Sequence, residues 1–278
     1  SLSDVPDIID TWNDGKVVDI EGYYENAKIN RVYVDRVHVK KAFAEYTEVY
    51  NADDPKIKLK IDHTYRVAAL CERIAKAAGM CAYDVELAWL SGMLHDVGRF
   101  EQIKRYNTFS DADSVDHAKF GADLLFKDGL ISTFLKGMVK CTGYKPGALE
   151  DRYDSDGVFL YDRLNKSDME MLELAIRCHN MYRIPQGLNR REQAFCNVLR
   201  DADKVDIFKV NIDTPLEEIY NTTTEELMKS DITDEVLKAF DEEHCILKAI
   251  RRTPADTVIG HVSLAYELVS VSYTHLTL

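Results

Sequence analysis

The sequence lacks most features that mark membrane, secreted or nucleic-acid-binding proteins. Its 278 residues contain no apolar run near the ~18 residues of a membrane span. The first twenty residues are rich in aspartate and lack the basic-then-apolar pattern of a signal peptide. Lysine and arginine total 35 against 48 aspartate and glutamate, and this net charge of −13 argues against general binding of a nucleic-acid backbone. We expect a cytoplasmic protein that does not bind membranes.

Cysteine, proline and glycine are also sparse. The six cysteines form no Cys-x-x-Cys pair, and a chain of this length needs no disulfide to hold its core together. We therefore expect reduced thiols, most of them buried. Only 6 prolines and 13 glycines accompany 46% hydrophobic residues, which excludes collagen-like and low-complexity chains.

Hydrophobic residues recur with helical spacing over residues 36–270, without convincing alternating strand pairs. This pattern predicts an all-α fold with one helical domain and additional helices after residue 210. Residues 1–35 have no clean periodicity, and we interpret them as an extension. Residues 271–278 (VSYTHLTL) resemble the translation of a transposon-end sequencing adapter, so we expect a non-native tail there.

Local signals predict where several helices begin and end. The clearest helix starts near Pro55 and ends at Gly79. Asp84 is a candidate cap for the next helix, which Gly98 should break. Residues 141–166 form the main predicted loop. Further start signals are Asp113 or Ser114, Ser167 with Glu170, Thr214 to Glu217, and Thr223 to Glu226.

Five predicted helices carry a polar or charged side chain on an otherwise apolar face. These positions are His63, His95 with Asp96, His117, His179 and Asp203. A buried imidazole or carboxylate costs ~1–3 kcal/mol or more unless it is paired or bound to metal. One buried histidine is best explained by a hydrogen bond to a backbone carbonyl, but five such positions favour a shared metal site. A closed structural zinc site is disfavoured because the ligands are far apart in sequence and include no cysteine.

The order of these residues resembles that of the HD-domain metal-dependent phosphohydrolases. The resemblance rests on His63 in IDHTYRVAALCERIA, the doublet His95-Asp96 in LSGMLHDVGRF, and Asp203 in LRDADKVDIF. It implies an HD-type helical bundle that cleaves a small phosphate ester, a nucleotide being one candidate, through a metal-bridging hydroxide.

In binuclear members of that family, two histidines between the doublet and the last aspartate hold a second metal. By this resemblance His63, His95, Asp96 and Asp203 would hold metal one, and Asp96, His117 and His179 would hold metal two. Iron, manganese or cobalt suits such nitrogen and oxygen ligands best, while magnesium, nickel and zinc are alternatives. The oligomeric state is left open.

Four basic side chains near the ligands are candidates for binding the substrate phosphate: Arg66, Arg99, Arg183 and Lys204. Arg66 and Arg99 lie within one turn of a ligand, and we place them with Asp96 in the catalytic set. The alternative for each is a solvated surface charge. Residues 105–107 precede His117 and could form a lid or specificity wall.

The sequence departs from three HD subfamilies. It has no Gly-Tyr-Pro signature of the cyclic-dinucleotide phosphodiesterases, no acidic pair after the doublet as in alarmone hydrolases, and no further histidines there as in dNTP triphosphohydrolases. Two other functions stay open. A mixed-valent di-iron oxygenase of the inositol oxygenase type uses the same ligand set, and a non-catalytic sensor would use the metals only for structure.

Overall fold

A computed structural model describes residues 34–51, 54–135, 166–220 and 222–270. Every regular element in these ranges is helical, which confirms the predicted all-α class. The predicted tail and, apart from residues 34, 35 and 166, the predicted extension and loop lie outside the described residues. The division into one domain with an extension stays a prediction.

The helices are numbered in chain order. They are α1 (Arg36–Glu48), α2 (Pro55–Ala77), α3 (Ala82–Leu94), α4 (Val97–Tyr106), α5 (His117–Ala122), α6 (Ile131–Leu135), α7 (Lys166–Cys178), α8 (Arg190–Asp213), α9 (Leu216–Tyr220), α10 (Thr224–Met228), α11 (Asp234–Asp241) and α12 (Pro254–Val262). A π-helical turn (Asp123–Lys127) continues α5, and 3₁₀ turns occupy Lys248–Ile250 and Ser263–Glu267. Helices α2, α3, α7 and α8 pack around the core.

Helix α2 begins and ends where its sequence predicts. The Asp54 side chain accepts a hydrogen bond from the backbone N–H of Lys56, and Pro55 occupies the first helical position. Gly79 follows the helix with φ +72°, a conformation that favours glycine, and the Met80 N–H bonds the Ala75 carbonyl. The buried face of α2 includes His63, Val67 and Cys71.

The predicted role of Asp84 as a helix cap is wrong. Helix α3 begins after Cys81, and Asp84 lies buried in its first turn. There it accepts hydrogen bonds from the Arg191 guanidinium, the shortest at 2.7 Å. The sequence signal was ambiguous because an aspartate near a helix start can either cap the helix or pair with a basic residue. Here the choice depends on Arg191, which is distant in sequence.

Gly98 does not break a helix either. Helix α3 ends at Leu94, before the His95-Asp96 turn, and Gly98 lies inside α4. A Cβ atom at Gly98 would lie 2.4 Å from the His117 carbonyl oxygen and 2.7 Å from the Gly121 backbone nitrogen. Glycine is therefore required here for the close approach of α4 and α5, which brings His117 beside the His95-Asp96 turn.

Two other predicted caps shift by one or more residues. The N-cap of α5 is Asp116, which accepts from the Lys119 N–H, rather than Asp113 or Ser114. Helix α7 already includes Lys166, so Ser167 is not its N-cap. Thr223 and Glu226 form the predicted capping box of α10.

Polar contacts connect the C-terminal end of the described chain to α8. Glu267 accepts hydrogen bonds from Arg200 and Lys204, each at 3.1 Å. The Asp201 carboxylate accepts from the backbone N–H groups of Val269 and Ser270. These contacts hold residues 267–270 beside the helix that carries Asp203.

The cysteine and membrane predictions can be compared with the described ranges. The five cysteines within them are free, and only Cys81 is exposed. Across the same ranges, no helix combines the length and the hydropathy that a bilayer span requires.

Candidate metal centre

Six residues selected from the sequence converge from five places in the fold. His63 lies on the buried face of α2, and His95 with Asp96 forms the turn between α3 and α4. His117 opens α5, His179 follows the last residue of α7, and Asp203 lies within α8. The four imidazoles and Asp96 are at most 4% exposed, while the Asp203 side chain is 18% exposed. One edge of the cluster therefore reaches towards solvent.

The Asp96 carboxylate lies between two pairs of histidines. Its Oδ2 atom is 3.6 Å from Nε2 of both His63 and His95. Its Oδ1 atom is 3.5 Å from Nε2 of His117 and 3.8 Å from Nε2 of His179. Asp203 approaches the first pair, with Oδ1 3.2 Å from His63 Nε2. Each oxygen of Asp96 thus faces a different pair.

All four imidazoles are oriented by a hydrogen bond on the ring nitrogen that faces away from the cluster. His63 and His117 each donate from Nδ1 to a carboxylate, that of Asp206 at 2.6 Å and that of Asp111 at 2.7 Å. His95 and His179 donate to carbonyl oxygens of the preceding turn, at 2.8 and 2.7 Å. These oxygens can only accept, so each Nδ1 carries a proton. Each Nε2 faces the cluster, where it can bind a metal through its lone pair.

The inward nitrogens of each histidine pair lie close together. His63 and His95 are 3.3 Å apart between Nε2 atoms, and His117 and His179 are 3.1 Å apart. Two lone pairs at this distance repel, and the carboxylates of Asp96 and Asp203 add negative charge. Four imidazoles with two carboxylates are a donor set that suits first-row divalent metals. The residues therefore fit such ions.

The pKa shifts of His117 and His179 agree with this interpretation. Burial lowers the pKa of His117 and of His179 to about 4, so both rings are neutral at pH 7. Burial would raise the pKa of Asp96, but Lys60 and the surrounding histidines outweigh it and hold the pKa well below its usual range. Burial and Lys60 lower the pKa of His63, yet hydrogen bonds with two aspartates raise it overall. The cluster thus favours positive charge.

Three groups of ligand atoms lie close enough together to hold a cation, and one of them consists of Asp111, Asp116 and His117. The atoms of His63, His95 and Asp203 all lie within 4.8 Å of one another, and so do those of His95, Asp96 and His179. His117 joins the second group through its contact with His179.

Arg99 is the predicted basic residue that lies beside the cluster. Its Nε atom is 3.8 Å from Asp96 Oδ1 and is buried without a hydrogen-bond partner among the described residues. Its Nη1 atom donates to Asp111 Oδ1 at 2.8 Å and to the Phe109 carbonyl at 2.6 Å. Since Asp111 also orients His117, Arg99 is held in place by the same carboxylate.

The other predicted phosphate-binding residues have their contacts elsewhere. Arg66 donates from Nε and Nη2 to Asp206, behind His63. Lys204 is buried and bonds Glu267, while Arg183 is exposed and stacks on the Tyr182 ring. The role of these three residues in phosphate binding stays a prediction. Residues 105 and 106 end α4 rather than forming part of a loop.

Two lysines near the cluster were not predicted as site residues from the sequence. The Lys60 ammonium lies 2.7 Å from Asp96 Oδ2. Its position three residues before His63 is a signal that could have revealed it, because such residues share a helix face. Lys248 has no such signal. Burial lowers the pKa of Lys248. The charges of Asp111, Arg99 and Asp203, all far away in sequence, also shift this pKa.

Comparison with known families supports the same conclusion. The family model of the HD domain matches residues 61–259, which is more than half of the chain. The chain belongs to the HD-domain family. HD domains bind divalent metals and are usually hydrolases of the metal-dependent phosphohydrolase superfamily. No curated protein and no solved structure matches the chain at a significant level.

Proposed function

We propose that this HD-domain protein uses two divalent metals to hydrolyse a small phosphate ester, a nucleotide being one candidate. His63, His95, Asp96 and Asp203 would hold one metal, and Asp96, His117 and His179 the other. The observation that carries this assignment is the position of Asp96, whose two oxygens face the two histidine pairs at 3.5–3.8 Å.

The chemistry of phosphate hydrolysis suits this donor set. A pair of divalent metals supplies a water of lowered pKa as nucleophile and polarises the phosphoryl oxygens. The chain contributes neutral imidazoles, each held in the ligating tautomer by its Nδ1 hydrogen bond. Iron, manganese or cobalt fits these ligands best.

An acidic protein can still attract a phosphate ester at such a site. The whole chain has a net charge of −13, but two divalent ions would outweigh the two carboxylates that hold them. Arg99 adds a buried guanidinium beside Asp96, and its Nε–H is available for a phosphate oxygen. Local charge, rather than net charge, then governs binding of the substrate.

Phosphate release from a panel of nucleotides and sugar phosphates tests the proposal. The protein is loaded anaerobically with Mn(II) or Fe(II), and the Asp96→Ala variant is the control. We expect release by the native chain and none by the variant. If protein that holds two metals releases no phosphate but consumes oxygen, it is a di-iron oxygenase instead. If it does neither, the metals have a structural or sensory role.

A further inference from the structure

Lys60 places a positive charge at the edge of the metal centre. It lies on α2, one turn before His63, and its Nζ atom is 2.7 Å from Asp96 Oδ2. The Lys60 side chain is 21% exposed, whereas Asp96 is buried. The ammonium therefore lies between the buried cluster and solvent.

The contact with Lys60 is compatible with metal bound to the same carboxylate. A carboxylate oxygen has two lone pairs, so Asp96 Oδ2 can face the His63 and His95 side and still accept from an ammonium. Lysine carries three N–H donors on a flexible stem. One donor can stay on Asp96 while the others point towards solvent.

The charge balance of the metal-loaded site favours a second partner for the remaining N–H donors of Lys60. With two divalent ions present, the negative charge of Asp96 would be shared among several cations, and Lys60 would gain from a stronger anionic partner. A phosphate group at the metals brings that charge next to the ammonium. The neighbouring Lys58 is exposed on α2 and offers no such position.

Resting on the proposed function, we propose that Lys60 binds the substrate phosphate. It keeps one hydrogen bond to Asp96 and donates another to a phosphoryl oxygen. The alternative is that Lys60 serves only as a counter-ion of Asp96 and contributes nothing to phosphate binding.

Binding of inorganic phosphate to Mn(II)-loaded protein tests the role of Lys60 without a known substrate. Calorimetry is run on the native chain and on Lys60→Met, Lys60→Arg and Lys58→Met, with metal content and circular dichroism measured on each. We expect two metals in all four proteins. Lys60→Met should weaken phosphate binding about 10- to 100-fold, as for loss of one charge-assisted hydrogen bond. Lys60→Arg should restore part of the affinity, and Lys58→Met should change it less than about twofold.

Other outcomes separate the inference from the proposed function. If Lys60→Met keeps both metals and binds phosphate as tightly as Lys58→Met, Lys60 is only a counter-ion. If the folded Lys60→Met protein loses a metal, Lys60 is part of the metal site and the proposal is wrong. If the native chain holds two metals but binds no phosphate and hydrolyses no ester, the proposed function itself fails.

Discussion

Two groups of buried polar residues in this protein are built on opposite principles. One group joins α3, α7 and α8, where Arg191 donates to Asp84 at 2.7 Å and to Asp168 at 2.6 Å, and the Tyr83 hydroxyl donates to Asp168. Donors meet acceptors throughout this network. In the second group, the metal centre, inward imidazole nitrogens face one another and face carboxylates, so acceptors meet acceptors.

Burial does not distinguish the two groups, because Asp84 and Asp168 are as inaccessible as the histidines. What differs is whether donors of the chain reach all the acceptors. The first group is completed by Arg191, without which two buried carboxylates would be left unpaired. In the second group Lys60 donates to Asp96, but the inward nitrogens of each histidine pair face one another, and a bound metal would complete them. Unmatched acceptors are thus a better sign of function here than burial.

Asp96→Ala would disrupt the second group most severely. Removing the carboxylate that faces both histidine pairs should abolish binding of both metals and with it turnover. Metal content per chain and phosphate release measure these effects, with circular dichroism to verify folding. Retention of two metals in the variant would refute the bridging role of Asp96.

In the second group, His117→Ala should remove one metal position and leave the other. We expect metal content to fall from two to one, because His63, His95, Asp96 and Asp203 would still hold the first ion. Elemental analysis of purified protein measures the stoichiometry. A fall from two to zero would indicate a different partition of the ligands.

Arg191→Met would break the first group and leave two buried carboxylates without their cation. We expect the free energy of unfolding to fall by about 3–5 kcal/mol, as for loss of one partner of a buried ion pair. Denaturant titration measures it, and the exposed neighbour Arg190→Met should cost less than about 0.5 kcal/mol. The folded variant should still hold two metals. Equal stability of the two variants would show that the network does not stabilise the fold.

Asp206→Asn would weaken the support of one metal ligand without removing it. The Asp206 carboxylate orients His63 and pairs with Arg66, so its neutral replacement should reduce metal affinity about 10- to 100-fold. Competition with a chelator measures the affinity. Asp213→Asn on the exposed part of the same helix is the matched control. Similar affinities for the two variants would contradict a positioning role.

His261→Gln tests how burial affects a histidine that is not a candidate metal ligand. We expect it to give the smallest effect of the five variants. Burial lowers the pKa of His261 from 6.5 to about 4, and its Nδ1 lies 3.0 Å from the Tyr220 hydroxyl. As the pH falls below 6.5, the unfolded chain gains a proton here that the folded chain does not, so stability falls. Between pH 7 and 5, the native chain should lose about 1–2 kcal/mol more than the variant. Parallel stability curves would contradict this protonation state.

The accuracy of sequence interpretation follows the range of the interactions involved. Both ends of α2 are predictable because Pro55 and Gly79 act on backbone groups a few residues away. The role of Asp84 was missed because its partner, Arg191, lies 107 residues further on. Gly98 was misread because a glycine that breaks a helix and one that admits a neighbouring helix look alike in sequence.

The sequence by itself determined the helical class and indicated six potential ligands, since both follow from local patterns, although His95, Asp96 and His179 lie at helix ends rather than on helix faces. Only the tertiary structure decided that the two oxygens of Asp96 face different histidine pairs and that Asp206 and Asp111 orient two of the rings. It also decided that Lys60 reaches Asp96. The physical reason is that the packing of α4 against α5, and of α2 against α8, sets these distances between residues that are remote in sequence.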